Sequence, residues 1–266
     1  MINFSKMVAT GNDFIVIDNR LSVLGQRLSS VAKRLCDRKT GIGADGFLVV
    51  ERSRSADFRM RIFNPDGSEP DMCGNGSRCI ALYARDRQIA ASSMVIQTGA
   101  GLLRASVRPA GVRINTTQPY DLKMSLTVKH SGKPYTLHHI NTGVPHAVCF
   151  ADDVDGMDMI SFGRSIRYNN IFLPDGVNVN AARVKRGPSL QVRTYERGVE
   201  SETRACGTGS IACALIASLV KKLKSPVRIY TRGGELTVYF KYRDNKFYDV
   251  FLEGPAEEVF TGRIKL

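Results

Sequence analysis

No apolar run in the chain approaches the roughly 20 residues that a membrane-spanning helix needs. The opening Met1-Ile2-Asn3-Phe4-Ser5-Lys6 also lacks the layout of a signal peptide, so the expectation is a cytosolic protein. There are six cysteines but no Cys-x-x-Cys and no regular Cys/His ladder, which excludes a disulfide framework and a zinc site. Basic residues exceed acidic ones, 38 against 25, yet no basic run is longer than a pair such as Lys221-Lys222. Without an RNA-recognition or helix-turn-helix pattern beside it, the net charge of +13 reads as a solvated basic surface that helps collect anionic metabolites, and nucleic acid is not expected as a partner. The glycine-rich stretch Thr40-Gly41-Ile42-Gly43-Ala44-Asp45-Gly46 has no Lys-Ser/Thr after it and opens no helix, so it is not a phosphate loop.

What is present is a duplication. Cys73-Gly74-Asn75-Gly76-Ser77-Arg78-Cys79-Ile80-Ala81-Leu82 is echoed 133 residues on by Cys206-Gly207-Thr208-Gly209-Ser210-Ile211-Ala212-Cys213-Ala214-Leu215. Thr98 and Gly101 match Thr231 and Gly234 at the same offset, and Thr10-Gly11 faces Thr142-Gly143 at 132. The chain therefore divides into two halves, residues 1–118 with Cys73 and 119–266 with Cys206. Each is long enough to bury a core of its own. A pseudo-twofold molecule with one of these thiols on each wall of a shared site is expected.

Short apolar runs, alternation and turn residues predict strands over Phe4–Val8, Phe14–Asp18, Phe47–Val50 and Asp57–Phe63 in the first half, and over Ser125–Lys129, Thr136–Ile140, Ala147–Phe150 and Leu190–Tyr195 in the second. Helical periodicity covers Leu28–Cys36, Gly76 to about Arg87, Met159–Ile166 and Gly209–Lys222. Ile211 to Val220 is apolar on most faces and belongs inside, so the expected fold is α+β: two pseudo-symmetric domains, each a mostly antiparallel curved sheet or barrel around a central helix.

Cys36, Cys79, Cys149 and Cys213 sit among apolar neighbours and read as small buried fillers. Cys73 and Cys206 differ, because each precedes a glycine at the start of a helix, where unpaired N–H groups and the positive end of the helix dipole favour a thiolate and bind anions. Two such turns related by symmetry suit an amino-acid substrate. Its carboxylate would take the N–H groups of Gly74, Asn75, Gly207 and Thr208. A thiolate would remove the α-proton, and a thiol would return one on the other face. The reaction needs donors fixed in advance and two thiols of unequal protonation, with Glu196 and His146 as candidates for setting that inequality.

The motifs Gly11-Asn12-Asp13-Phe14, Gly41–Gly46, Phe63–Ser68, Cys73–Gly76, Tyr195-Glu196-Arg197-Gly198 and Ala205–Gly209 occur in the order and near the spacing of one family. Along essentially its whole length the sequence resembles the diaminopimelate epimerases. The resemblance implies a PLP-independent enzyme that needs no cofactor or metal and interconverts LL- and meso-2,6-diaminopimelate for lysine and peptidoglycan synthesis. It also implies a homodimer, and a last strand, residues 257–266, that packs back on the N-terminal domain. Carried over by motif, Cys73 and Cys206 are the acid/base pair and the Gly74-Asn75 and Gly207-Thr208 turns hold the reacting carboxylate. Asn12 and Glu196 lie near the reacting ammonium, Asn64, Asn178 and Arg197 grip the distal end, and His146 and Glu196 tune the thiols. Asn180 reads only as the next polar turn residue.

Two departures bear on substrate: Val144 stands where the family often has asparagine, and some members have glutamine at Gly46. Alternatives left open are a PLP-independent racemase of another amino acid, a thiol redox switch, and an amino-acid binding module.

Overall fold

The computed structural model describes residues 1–25 and 27–265. The chain forms two compact units, one of Met1–Asn115 plus the C-terminal segment from Gly254, the other of Thr116–Glu253.

The first unit contains β1 (Ile2–Ala9), β2 (Asn12–Asp18), α1 (Leu28–Cys36), β3 (Gly46–Glu51), β4 (Phe58–Phe63), α2 (Gly74–Asp86), β5 (Ser93–Thr98), β6 (Gly101–Arg108) and β7 (Gly111–Asn115). The last strand of the chain, β17 (Glu257–Ile264), pairs antiparallel with β1. The ladder then runs from β1 antiparallel to β2, parallel to β3, antiparallel to β4, parallel to β5, and antiparallel through β6 to β7.

The second unit contains β8 (Tyr120–His130), β9 (Lys133–Asn141), β10 (Pro145–Phe150), α3 (Met159–Arg167), β11 (Asn178–Val184), β12 (Ser189–Glu196), β13 (Ser201–Thr203), α4 (Gly207–Val220), β14 (Val227–Thr231), β15 (Gly234–Arg243) and β16 (Lys246–Gly254). Here β8 pairs antiparallel with β9, β9 with β10, then β10 parallel with β11, β11 antiparallel with β12, β12 parallel with β14, and β14 antiparallel through β15 to β16. The two ladders have the same sequence of parallel and antiparallel joints, β17 standing in the first where β8 stands in the second.

Each sheet curls round one helix. In the first unit α2 touches β1, β2, β3, β4, β6, β7 and β17; in the second α4 touches β9, β10, β11, β12, β14 and β15. The outer faces are covered by α1 and α3. Ile15, Ile17, Phe47 and Val49 form a core with Leu28, Ala32 and Leu35 of α1. Leu48, between Phe47 and Val49 in β3, points the other way, towards Gly76 of α2. Strands covered on both sides read as unbroken apolar runs, which is why Phe14–Ile17 and Phe47–Val50 show no alternation. Residues of α4 from Gly209 to Ala217 are all buried, and the helix carries no charge before Lys221. In contrast, α2 is equally central but less apolar, because it encloses Arg78.

The edge strand β8 extends five residues before the predicted Ser125 start, since most of its side chains are exposed and no buried face imposes a pattern. The three-residue β13 lacked any such pattern.

Candidate active site

Both cysteine turns are helix N-caps. Cys73 has extended backbone geometry and its Sγ accepts from the Gly76 N–H at 3.4 Å, while Ser77 Oγ donates back to the Cys73 carbonyl at 2.8 Å. Cys206 repeats this, with Sγ accepting from the Gly209 N–H at 3.4 Å and Ser210 Oγ donating to the Cys206 carbonyl at 2.8 Å. Sulfur takes the place of the usual serine or aspartate oxygen, and at the second turn the backbone N–H groups of Thr208 and Gly209 are both directed at the Cys206 sulfur. The third residue after each cysteine is glycine because the helix lies against the sheet there. A Cβ on Gly76 would come within 3.0 Å of Leu48, and one on Gly209 within 2.4 Å of Asn180 Oδ1.

In the first unit, Asn12, Gly74 and Asn75 gather at the Cys73 turn. Asn75 Nδ2 donates to Asn12 Oδ1 at 2.6 Å, and Asn12 Nδ2 donates to Asp45 Oδ2 at 3.0 Å. Arg38 bridges Asp13 and Asp45, and Lys6 pairs with Asp13 at 2.7 Å. Burial pushes the Asp13 carboxyl up, but the hydrogen bonds from Arg38 and Lys6 outweigh it and hold the group well below the ordinary carboxylate range. Asn64 is not part of this cluster. It sits exposed in the turn after β4 and donates to Ser68 Oγ at 2.9 Å.

In the second unit, Glu196, Gly207 and Thr208 gather at the Cys206 turn, His146 is linked to it through Asn180, which lies against Gly209, and Asn178 and Arg197 bond to each other beside Pro145. Thr208 Oγ1 lies 3.4 Å from Cys206 Sγ, and Thr142 Oγ1 donates to the Thr208 carbonyl at 3.0 Å. Burial, and then the charge of Glu196, push the Cys206 thiol up to about 12; Glu196 is itself raised by burial. His146 is wholly buried and neutral, its pKa pulled to about 3 by burial and further by His139 and Arg197. The Asn178 amide is engaged at both ends, accepting from the Arg197 N–H at 2.9 Å and donating to the Pro145 carbonyl at 3.0 Å, so it shapes the turn that presents Arg197. Arg197 and Val144 line a cavity of about 610 Å³ together with Asp175 and Gly176.

Asn180 is not a turn residue. It lies in β11, fully buried, accepts from Thr194 Oγ1 at 2.9 Å, and donates to the Ala147 carbonyl and towards His146 Nδ1. It therefore holds His146 with Nδ1 as acceptor, which places the ring proton on Nε2; that atom has no hydrogen-bond partner among the described residues. The available signal was the two-residue spacing of Asn178 and Asn180, which puts both on one face of a strand. Thr10, Asp45 and Arg78 were also missed as members of the Cys73 cluster. Among the described residues no group of His, Cys, Asp or Glu side chains is arranged to hold a metal ion.

The model of the diaminopimelate epimerase family matches residues 4–121 and 138–259. The chain belongs to that family. Diaminopimelate epimerase of Aquifex aeolicus is 41% identical over 279 residues, covering 99% of this chain and 98% of the relative. The enzyme of Hydrogenobaculum sp. (strain Y04AAS1) is 40% identical over 273 residues, covering 98% and 97%. Among solved structures, a Bacillus anthracis phenazine biosynthesis protein of the PhzF family superposes with a TM-score of 0.78 at 18% identity, covering 100% of this chain and 99% of its own. A hydroxyproline epimerase from Agrobacterium vitis does so at 0.69 and 14%, covering 98% and 91%. These distant likenesses show the fold, the two-unit α+β architecture described above. Family membership makes the protein an isomerase of the PLP-independent epimerase class. No helix among the described residues is long and apolar enough to cross a membrane.

Proposed function

We propose that the protein interconverts LL- and meso-2,6-diaminopimelate with Cys73 and Cys206 as its two acid/base groups. The observation that carries this reading is the repeated turn: two cysteines, each an N-cap with the same 3.4 Å contact, each opening the central helix of its unit. A thiolate takes the α-proton and becomes a thiol. The opposite thiol delivers its proton to the other face of the carbanion and becomes a thiolate. One proton enters and one leaves, so configuration inverts without net change in charge. The developing charge on the carboxylate rests on the N–H groups of Gly74, Asn75, Gly207 and Thr208, which are fixed before the reaction and need no reorganisation.

Asn12 and Glu196 then take the reacting ammonium, and Arg197 clamps the distal carboxylate, with Asn64 and the remaining N–H of Asn178 beside it. His146 and Glu196 keep the thiols unequal. On the family resemblance, the enzyme acts in the cytoplasm as a homodimer, uses no cofactor, and supplies meso-diaminopimelate to lysine and peptidoglycan synthesis.

The test is incubation of reduced protein with LL-diaminopimelate in deuterated buffer, without added PLP, followed by NMR. The meso isomer carrying deuterium at one α-carbon is expected, and each of Cys73→Ser and Cys206→Ser should lower turnover by at least about a hundredfold. Full turnover in either variant would refute the two-thiol assignment. Val144, an apolar wall beside Arg197, favours one competing reading, a racemase of a different amino acid. Exchange with another amino acid but none with diaminopimelate would select it.

A further inference from the structure

Two-thiol catalysis needs one thiolate and one thiol at the outset, yet the two turns are nearly identical in geometry. Their difference lies one helical turn further on. Aligned on the cysteines, Arg78 of α2 occupies the place of Ile211 in α4. Arg78 has no exposed surface. Its Nη2 donates to Thr10 Oγ1 at 2.5 Å and to Asn75 Oδ1 at 2.7 Å, its Nη1 to the Gly74 carbonyl at 3.4 Å, and its Nε to the Pro255 carbonyl at 3.5 Å. Among the described residues no carboxylate pairs with it.

A buried guanidinium with only neutral acceptors is costly, and an anion nearby would offset that cost. Its guanidinium lies back along the first turn of α2, on Gly74 and Asn75, so among the described residues the titratable groups nearest to it on this helix are Cys73, at the N-cap, and Cys79. Among the described residues it meets a hydroxyl from the β1–β2 turn and a carbonyl from the segment after β16. Asp13 and Asp45 stand beyond Asn12 and are already paired with Lys6 and Arg38. Cys79 is deep in the core, where burial pushes its thiol far up and keeps it neutral. Cys73, half-buried at the head of the helix, adjoins Gly74 and Asn75, whose oxygens the guanidinium holds.

The backbone agrees. Thr10 adopts φ 47°, a left-handed conformation that a β-branched residue rarely takes, and its hydroxyl is held by Arg78. The same guanidinium fixes the Asn75 amide, which in turn holds Asn12.

We propose that Arg78 is a positioning residue whose buried charge makes Cys73 the thiolate of the resting pair, while Ile211 leaves Cys206 a thiol. The burial of Cys206 beside Glu196 works in the same direction. The inference deepens the two-thiol reading and rests on it, but its test reads thiol ionisation and not turnover, so either can fail without the other.

The full-length reduced protein is alkylated with iodoacetamide over about pH 5 to 10, and Cys73 and Cys206 are followed separately by peptide mass spectrometry. The quantity read is the pH midpoint of each rate, not its size. In the wild type, Cys73 should have its midpoint about one pH unit or more below that of Cys206, a tenfold difference in thiolate at a given pH. Arg78→Met should raise the Cys73 midpoint by a similar amount and leave that of Cys206 in place, and Arg78→Lys should restore most of the shift. An unmoved Cys73 midpoint in folded Arg78→Met overturns the proposal. Should that variant not fold, Arg78→Gln takes its place with the same two outcomes, and Cys206 ionising before Cys73 in the wild type overturns the proposal in any case.

Discussion

At neutral pH His146 carries no charge, and this makes folding pH-dependent. An unfolded histidine binds a proton near its ordinary pKa of about 6.5, whereas the folded ring does so only near 3. Between these values the unfolded state holds more protons, so stability falls as pH drops through that window, by up to about 1.4 kcal/mol per pH unit from this one group. Glu196, raised by burial, contributes with the opposite sign. The difference between wild type and His146→Gln in urea unfolding isolates the histidine, and the variant should show a shallower loss from pH 6.5 to 4. Equal slopes would mean that His146 is already charged in the fold. Val144 raises a separate question at this scale. Because it lines the cavity with Arg197, Val144→Asn should supply a side-chain amide there and lower the KM for diaminopimelate by up to about tenfold, with kcat nearly unchanged. An unaltered KM would detach this wall from substrate recognition.

The helices α2 and α4 show how one local motif serves packing and chemistry together. Cys-Gly-x-Gly-Ser supplies the N-cap, the first-turn N–H groups and a glycine where the helix meets the sheet. The two glycines are not equally sensitive. At Gly76 a methyl group meets the tips of Leu48, Ile62 and Met60, which can move; at Gly209 it meets the Asn180 amide, already committed to Thr194, Ala147 and His146. Gly209→Ala should therefore cost about 2 to 3 kcal/mol and Gly76→Ala about 1, read from denaturant midpoints. Similar costs would show that the Asn180 network yields as easily as side-chain methyls do.

For the molecule as a whole, duplication gives two units with the same ladder of joints, yet the matching places hold different charges. Arg78 answers Ile211, and Glu196, beside Cys206, falls opposite Asn64 in the first half. Matching places in the two halves thus give the two cysteines different surroundings. If both thiols serve one α-carbon, mild oxidation should join Cys73 to Cys206 and abolish turnover, and reduction should restore it. Peptide mapping of oxidised, inactive protein that finds no such linkage would reject the shared α-carbon.

The repeated Cys-Gly-x-Gly-Ser turns, the apolar stretch Ile211–Val220 and the turn residues between alternating runs were sufficient to read a duplicated α+β chain with a helix inside each half, because periodicity and capping are local properties. The family was legible for the same reason, its motifs being short and ordered. Tertiary structure alone decided what lies behind those motifs. Asn180 and Arg78 look like ordinary polar positions in sequence, and only folding brings Thr194 and His146 to one, and Thr10 and Pro255 to the other. The Asn64 contact, by contrast, is local, its amide donating to Ser68 four residues on within the same turn. Burial sets the ionisation of His146, Glu196 and Cys206, and burial depends on contacts between segments far apart in the chain.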